Sequence, residues 1–193
     1  PELLAYGREH IPDRQPTLVI SACSSHTARN WLPDRYAAVA DHAVRTHGMR
    51  VILCGGPNSL EREMAQAIAK HATVPLVDLV GKDTLPQLLA VIGRSTALLT
   101  PDSGPAHMAT MVGTPVIGLY AATNPARSGP YLSRRWCIDA YDTAARRFLG
   151  KAAYTLPWTQ KIEVPGVMEI ISVEAVTGVL DELLALPPEA RLA

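Results

Sequence analysis

Thr100-Pro101-Asp102-Ser103-Gly104-Pro105-Ala106-His107 joins the apolar run Ala97 to Thr100 to a helical pattern, through a turn rich in groups that bind anions. The stretch predicts a strand followed at once by a helix whose N-terminus is open. Ser103 and Gly104 offer backbone N–H groups, Pro105 suits the first helical position because its missing N–H costs nothing there, and the helix dipole adds partial positive charge. A diphosphate fits such a turn. With Ser103 as the cap, His107 lies one turn further on and on roughly the same face, within reach of whatever the turn holds. The plainer alternative is that Asp102 or Ser103 only caps the helix and His107 is satisfied locally.

Outward from this turn, short apolar runs alternate with longer helical patterns from Thr17 to about Tyr120. Five strands are expected: Thr17 to Ser21, Arg50 to Cys54, Val74 to Leu79, Ala97 to Thr100 and Val116 to Tyr120. All are rich in Val, Ile or Leu and lack polar alternation, as strands buried on both faces should. The fold class is therefore α/β, a doubly wound Rossmann-like parallel sheet with helices on both faces.

Helices are expected from Pro33 to His47, stopped by Gly48, and from Asn58, where Glu61 three residues on makes a capping-box pattern. Two more are expected from Thr84 to Gly93, with Gln87 in the same relation, and from Pro105 to Val112, stopped by Gly113. Beyond Gly129 the pattern weakens. Residues 131–166 read as irregular, with one strand around Trp136 to Ala140. A last amphipathic helix, capped by Ser172, buries Val173, Val176, Leu180, Leu183 and Leu184 and stops at Pro187-Pro188. Residues 1–16, with Pro12 and Pro16, read as a tether feeding a single domain over 17–193.

Composition narrows the function. At 193 residues and 48% hydrophobic the chain can bury a substantial core. Lys plus Arg and Asp plus Glu are each 18, giving a formal charge of zero, which removes the basic footprint of a nucleic-acid binder. Cys23, Cys54 and Cys137 are odd in number and widely spaced, so neither a disulfide framework nor a zinc motif is indicated, and a reducing compartment is the default. No apolar run is long enough to span a bilayer and no signal-peptide pattern opens the chain. The first residue is Pro, an expectation of processing or of a fragment of something longer. No D-x-D pair, H-E-x-x-H or clustered His/Cys/Asp set is visible, so metal independence is expected.

Ligands of doubly wound sheets bind beyond the carboxyl ends of the strands, where the strand order reverses between the first and fourth strands. Two chemically rich loops should face one another there. One is Cys23-Ser24-Ser25-His26-Thr27-Ala28-Arg29-Asn30-Trp31, the other the Asp102 to His107 turn. Arg29 supplies a planar cationic fork, Ser24, Ser25 and Thr27 supply hydroxyls, and Trp31 reads as an anchor for the loop. After the second strand, Gly55-Gly56-Pro57-Asn58 leads to Glu61, whose carboxylate suits ribose hydroxyls or, equally, the capping box. The G-x-G-x-x-G fingerprint is absent, which disfavours a NAD enzyme. Ser103 lacks the G-x-S-x-G elbow, which disfavours a hydrolase.

Several of these residues fall in ordered motifs: Arg29-Asn30-Trp31-Leu32-Pro33, Gly55-Gly56-Pro57 with Glu61, Gly81-Lys82 with Leu85-Pro86, Pro101 to His107, Gly113-Thr114-Pro115, Asn124-Pro125 and Gly129-Pro130-Tyr131. In these the chain resembles the C-terminal, donor-binding half of glycosyltransferase family 9, the lipopolysaccharide heptosyltransferases of GT-B architecture. The resemblance covers Leu18 to Pro130 well and the final helix more loosely. It implies that Ser24, Ser25, Arg29, Ser103 and Gly104 hold the diphosphate of a nucleotide sugar, ADP-heptose, that Glu61 binds the ribose, and that the Gly81-Lys82 turn borders the base.

Asp102 and His107 are implied nearest the transferred sugar, as catalytic candidates. Arg29 stands where well-known heptosyltransferases have a Lys, and Leu32 separates Trp31 from Pro33. The implied chemistry is inverting, metal-independent displacement at the anomeric carbon by a hydroxyl of the lipopolysaccharide core. The implied location is the cytoplasm, at the inner face of the inner membrane, with at most peripheral membrane contact. The acceptor site and base of such enzymes lie in an N-terminal lobe, so this chain is expected to bind donor but scarcely to transfer sugar. The alternative is a nucleotide-diphosphate binding module that does not catalyse.

Overall fold

The computed structural model describes residues 2–12 and 15–192. Six parallel strands form one sheet: β1 (Thr17–Ile20), β2 (Arg50–Leu53), β3 (Val77–Asp78), β4 (Ala97–Pro101), β5 (Val116–Tyr120) and β6 (Ile138–Asp139), in the order β3-β2-β1-β4-β5-β6. β1 is the hinge of this order. It pairs β2 on one side, with Leu18 opposite Val51, and β4 on the other, with Leu18 opposite Ala97. The reversal point therefore lies between β1 and β4, where the sequence places it. β3 is shorter than the expected Val74 to Leu79, and β6 is the strand expected near Trp136.

Alternation along the buried strands explains the two covered faces. Leu18, Ile20, Val51, Leu53, Ala97 and Leu99 point into one core, with α2 (Pro33–His47) and α8 (Val173–Ala185). Val19, Ile52 and Leu98 point into the other, with α4 (Leu85–Arg94) and α5 (Gly104–Val112). Each fully buried Leu, Ile or Val contributes about 1.5–3 kcal/mol, so the central strands are held from both sides. Gly48 and Gly113 end α2 and α5 in the left-handed conformation, φ 61° and 72°, which a side chain would strain. α3 (Ser59–His71) begins at its expected cap, Asn58, whose side chain accepts from Glu61 N. α4 runs one residue past the expected stop at Gly93.

The tether expected over residues 1–16 is instead helical at its start. α1 (Glu2–His10) packs on α4, and Ile11 is fully buried in the second core. Gly7 permits this, since a Cβ there would lie 2.9 Å from the Ala90 carbonyl oxygen. Arg94 Nε and Nη2 then donate to the Ile11 carbonyl at 3.0 and 2.9 Å. Residues 1, 13 and 14 of the expected tether lie outside the described residues.

The segment expected to be irregular carries short elements: α6 (Pro125–Ser128) precedes it, and within it α7 (Tyr141–Ala144) runs into a wider π turn over Ala145–Leu149. Past these the chain returns to the segment that follows β5, where Ile162 N donates to the Ala122 carbonyl at 2.8 Å. No helix among the described residues is long and apolar enough to cross a membrane.

Candidate functional site at the strand-order reversal

A cleft of about 830 Å³ opens beyond the carboxyl ends of β1, β2 and β4. Its volume falls within the range of small-ligand sites. Of the residues expected there, Ser24, Ser25, Arg29, Glu61, Asp102, Ser103, Gly104 and His107 all line it. Lys82 does not. Its Nζ donates to the Asp78 carbonyl at 2.6 Å, and the neighbouring Asp83 and Thr84 face the cleft instead.

The N-terminus of α5 is built as the sequence suggests, with one difference. Ser103 occupies the cap position, but its hydroxyl pairs with Thr100 Oγ1 at 2.8 Å and caps no backbone N–H. Among the described residues the first turn of α5 is thus left without a side-chain cap, facing the cleft. A Cβ built on Gly104 would meet nothing within 4 Å, so that residue leaves open space beside the helix end. His107 is exposed on the same helix and makes no side-chain hydrogen bond among the described residues.

Opposite, the β1 loop is braced by its own side chains. Asn30 Oδ1 accepts from Ser24 N at 2.7 Å. Trp31 is buried, stacks edge to face on Tyr36 with centroids 5.1 Å apart, and donates from Nε1 to the Ile171 carbonyl at 3.0 Å. It anchors the loop to the chain just before α8. Cys23 also borders the cleft; burial, reinforced by Glu61, pushes its thiol up to about 12, so it stays protonated and unreactive at neutral pH.

Arg29 bridges two carboxylates. Its Nη1 lies 3.4 Å from Asp102 Oδ2, while Nε and Nη2 each lie 2.7 Å from Glu163 Oε1. Asp102 also accepts from Ser128 Oγ at 3.0 Å. Burial works against the charge on Glu163, but the hydrogen bond and charge of Arg29 outweigh it and hold the carboxyl below its ordinary value. Among the described residues lining the cleft Arg29 is the sole Lys or Arg, against Glu61, Asp83 and Asp102. Its charge is already balanced before any ligand arrives.

Glu61 is fixed by the glycine turn rather than by a full capping box. Oε2 accepts from Gly56 N at 2.7 Å and Oε1 from Asn58 Nδ2 at 2.9 Å. A carboxylate has about four lone-pair sites, so lone pairs remain for hydroxyl donors. Sequence reasoning missed Glu163, Ser128 and Asp83. Asp83 follows β3, so the rule that ligands gather beyond strand ends pointed to its loop. Glu163 lies in an irregular stretch with no signal at all.

An all-parallel sheet in this order, with an open helix start and hydroxyl-rich loops at its reversal point, defines a doubly wound α/β domain of the kind whose ligands bind at the strand-order reversal. The sequence model of glycosyltransferase family 9 (heptosyltransferase) matches residues 3–153, and the chain belongs to that family. It is 38% identical to the lipopolysaccharide core heptosyltransferase OpsX of Haemophilus influenzae over 92% of this chain and 51% of that protein. Among solved structures, a family 9 glycosyl transferase from Veillonella parvula superposes with a TM-score of 0.75 at 25% identity, covering 96% of this chain and 52% of the other. The ADP-heptose lps heptosyltransferase II of Escherichia coli gives 0.71 at 20% identity, covering 95% and 51%, a likeness of fold. The chain spans about half the length of these relatives.

Proposed function

We propose that this chain is the donor-binding lobe of an inverting glycosyltransferase of lipopolysaccharide core biosynthesis, and that its donor is ADP-heptose. The observation that carries the reading is the uncapped start of α5, set across the reversal point from Ser24 and Ser25. The diphosphate would lie on the Ser103 and Gly104 N–H groups, where preorganised dipoles meet the charge that develops on the leaving group; one such donor is worth about 3 kcal/mol. Glu61 would accept from the ribose hydroxyls. Leu85 and Leu88, rather than Lys82, would form the apolar wall for the base.

Asp102 is held by Ser128 and Arg29, an arrangement suited to orienting the Arg29 fork toward the diphosphate more than to abstracting a proton. His107, exposed one turn along α5, is the titratable group with freedom to meet the transferred sugar. The acceptor hydroxyl and its base would come from a second lobe, the reaction would need no metal, and the working place would be the cytoplasmic face of the inner membrane. Asp102 being so engaged also suits the non-catalytic binding module.

Calorimetric titration with ADP, UDP and NAD, with and without magnesium, tests the lobe. Preference for ADP, unchanged by magnesium, is the expected result; equal binding of all three, or none by the folded chain, counts against the site. Transfer from ADP-heptose by a form extended to the full length of the relatives separates the transferase from the binding module.

A further inference from the structure

His42, His47 and Asp181 bring three metal-ligating atoms together at a place remote from the cleft. α2 starts beside the cleft at Pro33 and runs back to feed β2, so His42 and His47 lie about 14 and 21 Å along its axis from that start. Asp181 comes from α8, which packs along α2. The Nε2 atoms of His42 and His47 are 2.7 and 2.6 Å from one oxygen, Asp181 Oδ1. All three ligand atoms lie within 4.8 Å of one another. A five-residue step turns the second histidine about 140° round the helix from the first, so the rings reach the carboxylate from two sides, centroids 5.5 Å apart.

We propose that His42, His47 and Asp181 form a binding site for a divalent transition-metal ion of the zinc type, which pins α8 to α2. Two imidazole nitrogens and one carboxylate oxygen suit zinc, whereas magnesium and calcium demand oxygen-only surroundings. The side chains are 27%, 24% and 46% exposed, giving an ion a way in and water the fourth position. Metal–ligand lengths of about 2.0–2.2 Å need the ligand atoms slightly further apart than hydrogen-bond spacing, an adjustment that side-chain rotation supplies.

Each ring must turn its Nε2 lone pair to the ion and carry its proton on Nδ1. For His42 that proton faces Thr46 Oγ1, 3.4 Å away, an outer partner of the kind that fixes a ligating imidazole. His47 is the last residue of α2, where the helix dipole favours a cation. Because the ligands lie up to 139 residues apart, no spacing motif reveals them.

The test is calorimetric zinc titration of the metal-stripped chain, beside His42→Gln, His47→Gln and Asp181→Asn, each shown to be folded by circular dichroism. One ion per chain, a higher melting temperature with zinc but not magnesium, and an affinity loss of about tenfold or more in each folded variant are expected. Cobalt substitution supplies a second reading: d–d absorption without thiolate charge-transfer bands places the ion on nitrogen and oxygen. Absence of binding, unchanged zinc affinity in the folded variants, or a thiolate band that places the ion on a cysteine overturns the proposal.

Discussion

Glu163 Oε1 sits 2.7 Å from both Nε and Nη2 of Arg29, across 134 residues of sequence. The pair holds the Arg29 guanidinium at the cleft's edge and decides what Arg29 is free to do. Arg29→Ala leaves Asp102 and Glu163 without their common counter-charge. Because Glu163 is 26% exposed, the expected loss is about 2–3 kcal/mol, below the ~3–5 of a fully buried pair. Adding Glu163→Gln should return part of that stability in urea denaturation without restoring ADP affinity. Return of both would assign Arg29 a structural role alone.

The same pair sets an acid limit. The folded-state pKa of Glu163 lies below its ordinary value of 4.5, so its contribution is complete above 4.5 and is lost as pH falls through the folded value. The stability difference between parent and Glu163→Gln should hold level from pH 7 to about 5 and shrink toward pH 3. A difference that grows on acidification would contradict the pairing.

Gly104→Ala separates ligand binding from folding. Beyond its chain neighbours and its own helix backbone the new methyl meets no described atom within 4 Å, so stability should be unchanged or higher by at most about 0.5–1 kcal/mol. The same methyl stands where a phosphate would approach α5, and ADP affinity should fall about tenfold. Ser103→Pro is a poorer probe, since Ser103 has φ −152°, far from what proline allows. Undiminished affinity in Gly104→Ala would move the diphosphate away from this helix.

Trp31→Ala should cost about 3–5 kcal/mol in chemical denaturation, through a cavity between β1, α2 and the start of α8. Trp31→Phe keeps most of the ring volume and loses the bond to the Ile171 carbonyl, for about 1 kcal/mol plus any unfilled space. A melting temperature equal to the parent's in the alanine variant would remove Trp31 from the core.

Much of this was legible because period and punctuation agreed. The Val-, Ile- and Leu-rich runs gave the central strands, and Gly48, Asn58, Gly113 and Ser172 marked helix ends that the structure keeps. Strand order then brought Ser24 and Gly104 to one cleft although no local signal links them. Three things were hidden. α1 was masked by Pro12 and Pro16, because its docking depends on an absent side chain at Gly7, which periodicity does not register. The resemblance sets the Gly81-Lys82 turn beside the base, yet the Lys82 stem folds back to the Asp78 carbonyl. Glu163 arrives on a stretch without repeating pattern, so its meeting with Arg29 exists only in three dimensions.

The pairing of Arg29 with its two carboxylates also bears on how a ligand would respond to salt. A pocket that captures phosphate with free lysines and arginines loses affinity as counter-ions crowd in, over a Debye length of about 10 Å at 0.1 M. Here the fixed dipoles of α5 and the serine hydroxyls would do the holding at contact range, joined by an Arg29 fork whose charge Asp102 and Glu163 already offset. Nucleotide capture should therefore weaken only slightly as ionic strength rises, a property more of shape and backbone than of free charge.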